Sequence, residues 1–169
     1  SGRAQRYRGL VVEYGLDTAD PDLLYPAIRA ILRNENGRAR SHMGWVYRQM
    51  TKEQLDKIWP NIYEATRHLA PSGIMFASGV RTWGLRAMAE HRVAQGLPLA
   101  VWYLTNQKGH GSHGRVPSAL ESILMYGAHA KAYIPELEKA AEHFGRRQET
   151  VDRIKGAIEQ IKAMPDDQK

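Results

Sequence analysis

"AYIPELEKAAEH", residues 132–143, sets a proline inside a pattern that otherwise reads as helix. Proline has no N–H to donate and a fixed φ, so a helix accepts it in the first turn, where the N–H has no partner anyway. Pro135 therefore marks a helix start. Ile134, Leu137 and Ala140 then fall at −1, +2 and +5 from it, which is one face of a 3.6-residue period and not the alternation of a strand. The arrangement recurs three times. "LLYPAIRAILRN" (23–34), "KIWPNIYEATRH" (57–68) and "GLPLAVWYLTNQ" (96–107) carry Pro26, Pro60 and Pro98, and the four prolines are separated by 34, 38 and 37 residues. Around them Tyr25, Ile28 and Ile31, then Trp59, Ile62 and Ala65, then Leu97, Ala100 and Tyr103 repeat the same face.

Upstream of each segment stands a second helical stretch: "AQRYRGLVVEYGL", "SHMGWVYRQM", "GVRTWGLRAMAEHR" and "RVPSALESILMYGAHA". Units of this size that bury their faces only against their neighbours stack into an α-solenoid. The pattern predicts an all-α fold of about four helix pairs, with repeats over 3–36, 41–69, 78–108 and 115–145. A capping helix is predicted over 146–163, with Val151, Ile154, Ile158 and Ile161 on one stripe. Asp20 before Pro21 makes an N-cap with a first-turn proline, and Thr51 with Gln54 makes a capping box. Pro60 stands nine residues beyond that box, so it either kinks a helix or begins a second piece.

"YGAHAKAYIPEL", residues 126–137, resembles the HEAT repeat: a small-residue turn (Gly127, Ala128, Ala130) leads to a second helix opened by Pro135. The likeness covers residues 5–145 by period and is close in the fourth unit. It implies a HEAT/armadillo-like solenoid whose proline-bearing helices line a concave side. Residues 70–101 are also similar to C-terminal regions of large bacterial multidomain proteins with HEAT-like ends. The opening Ser1-Gly2 and a two-sided apolar first helix point the same way. In that helix Tyr7, Leu10, Val11 and Tyr14 form one face and Val12 and Leu16 another. The chain then reads as the C-terminal part of a larger protein, with an apolar N-terminal end prone to self-association.

Composition narrows the chemistry. With no cysteine among 169 residues, disulfides, thiolate metal cages and cysteine nucleophiles are excluded. No run is long and apolar enough for membrane insertion. The net charge of +6 raises nucleic acid as a partner, yet the excess is spread as +2, +3 and +1 over residues 1–45, 46–145 and 146–169. A phosphate-binding face would have to gather scattered cations such as Arg38, Arg40, Arg81 and Arg86.

"GHGSHG", residues 109–114, has the spacing of a dinucleotide loop. It lacks the preceding strand and the second parallel strand that such a loop serves, so it reads as a joint between helix pairs, and no cofactor is expected. His110 and His113 supply only half of a tetrahedral metal shell. His42, His68, His91, His129 and His143 are scattered without ligand spacing. "DTADPD" (17–22) lacks the glycine and glutamate of a calcium loop and reads as charge at a helix start. Ser78 is no nucleophile elbow and reads as an N-cap for a helix beginning at Gly79.

The longest joint, "LAPSGIMFASG" (69–79), holds Ile74, Met75 and Phe76 in a row, which either tuck under the stack or meet a partner; tucking is the favoured expectation. An enzyme, or an accessory to a hydrolase, would show a deep pocket beside residues 69–83. Three and seven after the prolines stand Arg29 and Arg33, Tyr63 and Arg67, Val101 and Thr105, Glu138 and Glu142. This graded surface suits a protein partner or a neighbouring domain, with Arg29, Arg33, Tyr63 and Arg67 as candidate contacts. The sequence-level reading is a non-catalytic scaffold, with a nucleic-acid-binding solenoid as the alternative.

Overall fold

The computed structural model describes residues 20–108 and 112–166, and among these every regular element is helical. The N-terminal apolar faces, Asp17 and His110 lie outside the described residues, as does the side chain of His113. The chain divides into two compact units, Ser1–Ala87 and Met88–Lys169.

In the first unit α1 (Pro21–Leu32) starts where the acidic cluster was expected to start a helix. Asp20 caps it, its carboxylate accepting from the Asp22 N–H at 2.9 Å, and Pro21 fills the first position. Because that cap lies upstream of Pro26, the proline falls inside α1 and does not open it. Tyr25, Ile28 and Ile31 are buried all the same.

The second pair departs from a helix pair. Its first half breaks into α2 (Gly37–Ser41), α3 (Met43–Tyr47) and α4 (Lys52–Asp56). Caps cut it: Asn36 accepts from the Arg38 N–H to begin α2, and the Thr51–Gln54 capping box restarts the chain at α4. Helix α5 (Trp59–Arg67) then begins with Pro60 in its first turn, so this proline opens a piece and kinks nothing. Ile62 and Ala65 are buried, and α1 packs against α5.

A 3-10 turn, Ile74–Phe76, runs directly into α6 (Ala77–Glu90). Ser78 is therefore the second residue of that helix, not its cap, because the 3-10 turn carries the chain into helical geometry first. Helix α6 ends in a left-handed cap at Arg92 (φ 55°). There the Val93 N–H donates to Met88 O at 2.8 Å and the Arg92 N–H to Ala89 O at 3.1 Å, the hydrogen bonds of a Schellman ending.

The second unit continues with α7 (Gly96–Thr105), α8 (Ser112–Leu124), a 3-10 run Gly127–Tyr133, α9 (Ile134–His143) and α10 (Gln148–Ala163). Pro98 and Pro135 lie in the first turns of α7 and α9. Helix α7 packs on α8 and α9, and α10 packs on both α8 and α9. Leu97, Ala100, Tyr103, Leu137 and Ala140 are buried, as are the Val151, Ile154, Ile158 and Ile161 stripe of α10. The small-residue turn opens with Gly127 at φ 61°.

Gly96 sits where a Cβ would strike the Tyr126 hydroxyl, which donates to Val93 O at 2.9 Å, and would lie 2.8 Å from Met88 Cβ. Gly96→Ala should cost about 2–3 kcal/mol in urea unfolding, from overpacking and from loss of that buried hydrogen bond. Arg92→Gly should instead stabilise by about 0.5–1 kcal/mol, since only glycine adopts φ > 0 without Cβ strain. Burial raises the Tyr47 and Tyr126 hydroxyls well above the ordinary value of 10.0. Above pH 10 the unfolded chain loses tyrosine protons that the fold retains, so stability is full below that pH and should fall as pH rises beyond it.

Candidate functional site

Arg29, Arg33, Tyr63 and Arg67 all stand on α1 and α5 or at their ends. Arg29 is half-buried and its Nη2 donates to Lys57 O at 3.0 Å, while the Lys57 ammonium lies 5.1 Å from the Tyr25 ring centroid. Arg33 caps the end of α1 and is exposed. Arg67 Nη1 donates to the Tyr63 hydroxyl at 3.2 Å, one turn apart on α5. The third rung of the expected graded surface is half lost: Val101 is only 4% exposed, whereas Thr105 stays partly exposed. Helix α7 is covered by both α8 and α9, so a position that faces water on the shorter contacts of α5 lies in the core on α7. Glu138 and Glu142 are exposed and line an open groove between α9 and α10, opposite Lys155 and Lys162.

The structure draws attention to the end of α5. A helix leaves its last carbonyls without N–H partners, and here two arginines from other elements take them. Arg81 of α6 donates from Nε to Thr66 O at 2.9 Å and from Nη2 to Arg67 O at 3.1 Å. Arg40 of α2 donates from Nη1 to His68 O at 2.8 Å and from Nε to Asn34 O at 2.7 Å. Desolvation lowers the Arg40 pKa from its ordinary value, yet a guanidinium stays charged near neutrality. Arg40 and Arg81, which the nucleic-acid alternative needed for phosphates, thus already bind backbone carbonyls.

Beside this clamp the joint is pinned. The Gly37 N–H donates to Ser72 O at 2.9 Å, while the Ser72 N–H and hydroxyl both donate to Glu35 O at 3.0 Å. Gly73 follows in the left-handed region (φ 66°), with its Cβ position 2.6 Å from the Asn36 side-chain oxygen, so no other residue fits there. That reversal sends the next residues outward. Ile74 is 67% and Met75 86% exposed, and Leu69 at the other end of the joint is 45% exposed. The expectation that this row tucks inward fails for Ile74 and Met75, because the backbone clamp fixes the joint from one side and leaves the 3-10 turn on the rim. The crevice behind Leu69 and Ile74 is lined by Ala65, Ala70, Val80, Arg40 and Arg81, and its interior of about 10 Å³ has room for about one water.

In the second unit a separate groove of about 510 Å³ lies between the end of α7 and the end of α9, lined by Gln107, Lys108, Glu142, His143, Arg146 and Arg147 among others. Arg115 of α8 joins it through a 2.6 Å bond from Nε to the buried Gln107 Oε1 and a longer one, 3.4 Å, from Nη2 to Lys108 O. These cations are dispersed along the chain apart from the adjacent Arg146 and Arg147, and the sequence reading names none of them as a site. Among the described residues no three His, Asp or Glu side chains gather as a metal site, and no helix is long and apolar enough to cross a membrane.

Arg81→Ala should lower stability by about 1.5–3 kcal/mol, since it strips charged donors from two helix-end carbonyls, whereas the exposed Arg33→Ala should stay within about 0.5 kcal/mol of wild type in the same thermal melt. No protein-family model, curated protein or solved structure matches the chain, so what these surfaces bind follows from their own residues.

Proposed function

We propose that the chain is a non-catalytic, HEAT-like helical-repeat scaffold of a multidomain protein, and that it holds a protein partner or a neighbouring domain. The solenoid reading is supported by the packing within each unit. Proline-bearing helices lie against one another, α1 on α5 and α7 on α9, as stacked pairs require.

The observation that carries the functional reading is the bare row of Leu69, Ile74 and Met75 on a joint whose backbone is clamped. Leaving large apolar side chains in water forgoes about 1.5–3 kcal/mol apiece, and rigid apolar residues beside a crevice are the material of interface anchors. Arg40 and Arg81 line the crevice with their donors turned to backbone carbonyls, but their positive charge remains and no carboxylate stands among the described lining residues. This supports a segment with an apolar anchor flanked by aspartate or glutamate, drawn by charge and not by direct pairing. Arg67, the last residue of α5, and Tyr63, one turn before it, extend the contact.

Selection of displayed peptides on the wild-type chain should enrich sequences with an apolar residue beside acidic ones. Their affinity should fall by tenfold or more in Ile74→Glu/Met75→Glu, a change at exposed positions that leaves the melt within about 0.5 kcal/mol. Tyr63→Ala with Arg67→Ala should cost about 1–3 kcal/mol of the same binding. Peptides bound equally by both variants, or no enrichment at all, reject the assignment.

A further inference from the structure

We infer that the groove at the ends of α7 and α9 binds a linear phosphate polyanion, contacting successive phosphates without reading sequence. This goes beyond the protein-docking reading, involves a different unit of the chain, and rests on none of its residues.

The groove brings Lys108, Arg146 and Arg147 together, with His143 beside them and Glu142 as the one carboxylate among its described lining residues. Arg115 adjoins through Gln107 and Lys108. The carboxylates of the second unit lie mostly elsewhere: Glu149 pairs with Arg153, Glu159 with Lys162, and Asp166 with Lys131. A unit in which charges nearly balance therefore holds one region where cations dominate.

Two features favour phosphate groups in a chain over a discrete small anion. A compact phosphate ligand is held by buried donors in an enclosed site, and this groove is wide and shallow, with Lys108, His143, Arg146 and Arg147 exposed. Single contacts of exposed cations are weak, but they add when one ligand presents several phosphates at once. The wall is also fixed in advance. Gln107 is 7% exposed, accepts from Arg115 and donates from Nε2 to Tyr103 O at 2.9 Å, so Arg115 is oriented before any ligand arrives. The groove presents little aromatic surface for base stacking, since Phe144 is buried, so the recognised element is the backbone.

The phosphates can come from nucleic acid or from inorganic polyphosphate, and competition separates the two. Fluorescence anisotropy of a labelled thymidine 20-mer with the full chain should show binding with a log–log salt slope of about −2, from Lys108, Arg146 and Arg147 at about 0.7 each. Arg146→Ala/Arg147→Ala should cut the slope to about a third and lower affinity by roughly fifty-fold at about 50 mM salt. Lys52→Ala/Lys139→Ala, an equal charge change outside the groove, should leave binding within about twofold, and so should Ile74→Glu/Met75→Glu. Unlabelled 20-mer, duplex and polyphosphate at equal phosphate concentration then rank the source. Absence of binding to all three, or equal loss in the Lys52/Lys139 control, overturns the proposal.

Discussion

Helices of 5 to 16 residues do not persist alone in water, because nucleation costs more than so few hydrogen bonds return. Each element here holds its shape only by burying a face against another, and that constraint organises the chain. It explains why the apolar positions around the prolines are so regular, and why fully buried side chains such as Ile28, Ile62, Leu104 and Leu137 come from each of the four proline-bearing helices. It also explains the close approach at Gly96, where the start of α7 meets Tyr126 with no room for a methyl group. Tight contact between short helices replaces the length that would otherwise stabilise them.

Short helices also mean many helix ends for the length of chain, and every end exposes carbonyls or N–H groups that need partners. This protein meets much of that demand with arginine. Arg29, Arg40, Arg81 and Arg115 each donate to one or more backbone carbonyls of a segment distant in sequence or adjoining a joint. A guanidinium suits the task because its donors form a fixed fork and its charge favours the negative end of a helix dipole. The basic composition is therefore partly architectural. Charge counts overstate what is left for a ligand, and only placement separates the structural cations from those in the groove at Lys108, Arg146 and Arg147.

Much of the all-helical architecture was legible because its signals are local. Asp20 before Pro21, the Thr51–Gln54 box and the turn at Gly127 depend on neighbours a few residues away, and each appears where its chemistry placed it. What was not legible depends on distant partners. Val101 is core because two helices cover α7, and nothing near it in sequence says so. The row at Ile74 and Met75 looked fit for burial until the joint was seen hydrogen-bonded to residues 35–37, far upstream. The break of residues 37–56 into three short helices lies between these cases. Its caps were partly visible, but a continuous pattern of apolar residues concealed that the caps prevail.

The two exposed features differ in how they meet the cost of ordering. At the joint, backbone hydrogen bonds and Gly73 hold the apolar row in place, so a partner gains burial without first freezing the loop. In the groove the Arg115 side chain is held by Gln107 and Lys108 O, while Lys108 and Arg146 stand exposed at its rim. Apolar docking of the first kind changes little with salt, and charge pairing of the second kind weakens steeply with it. Because the two surfaces belong to different units and depend on different forces, ionic strength alone separates their contributions in any assembly that uses both.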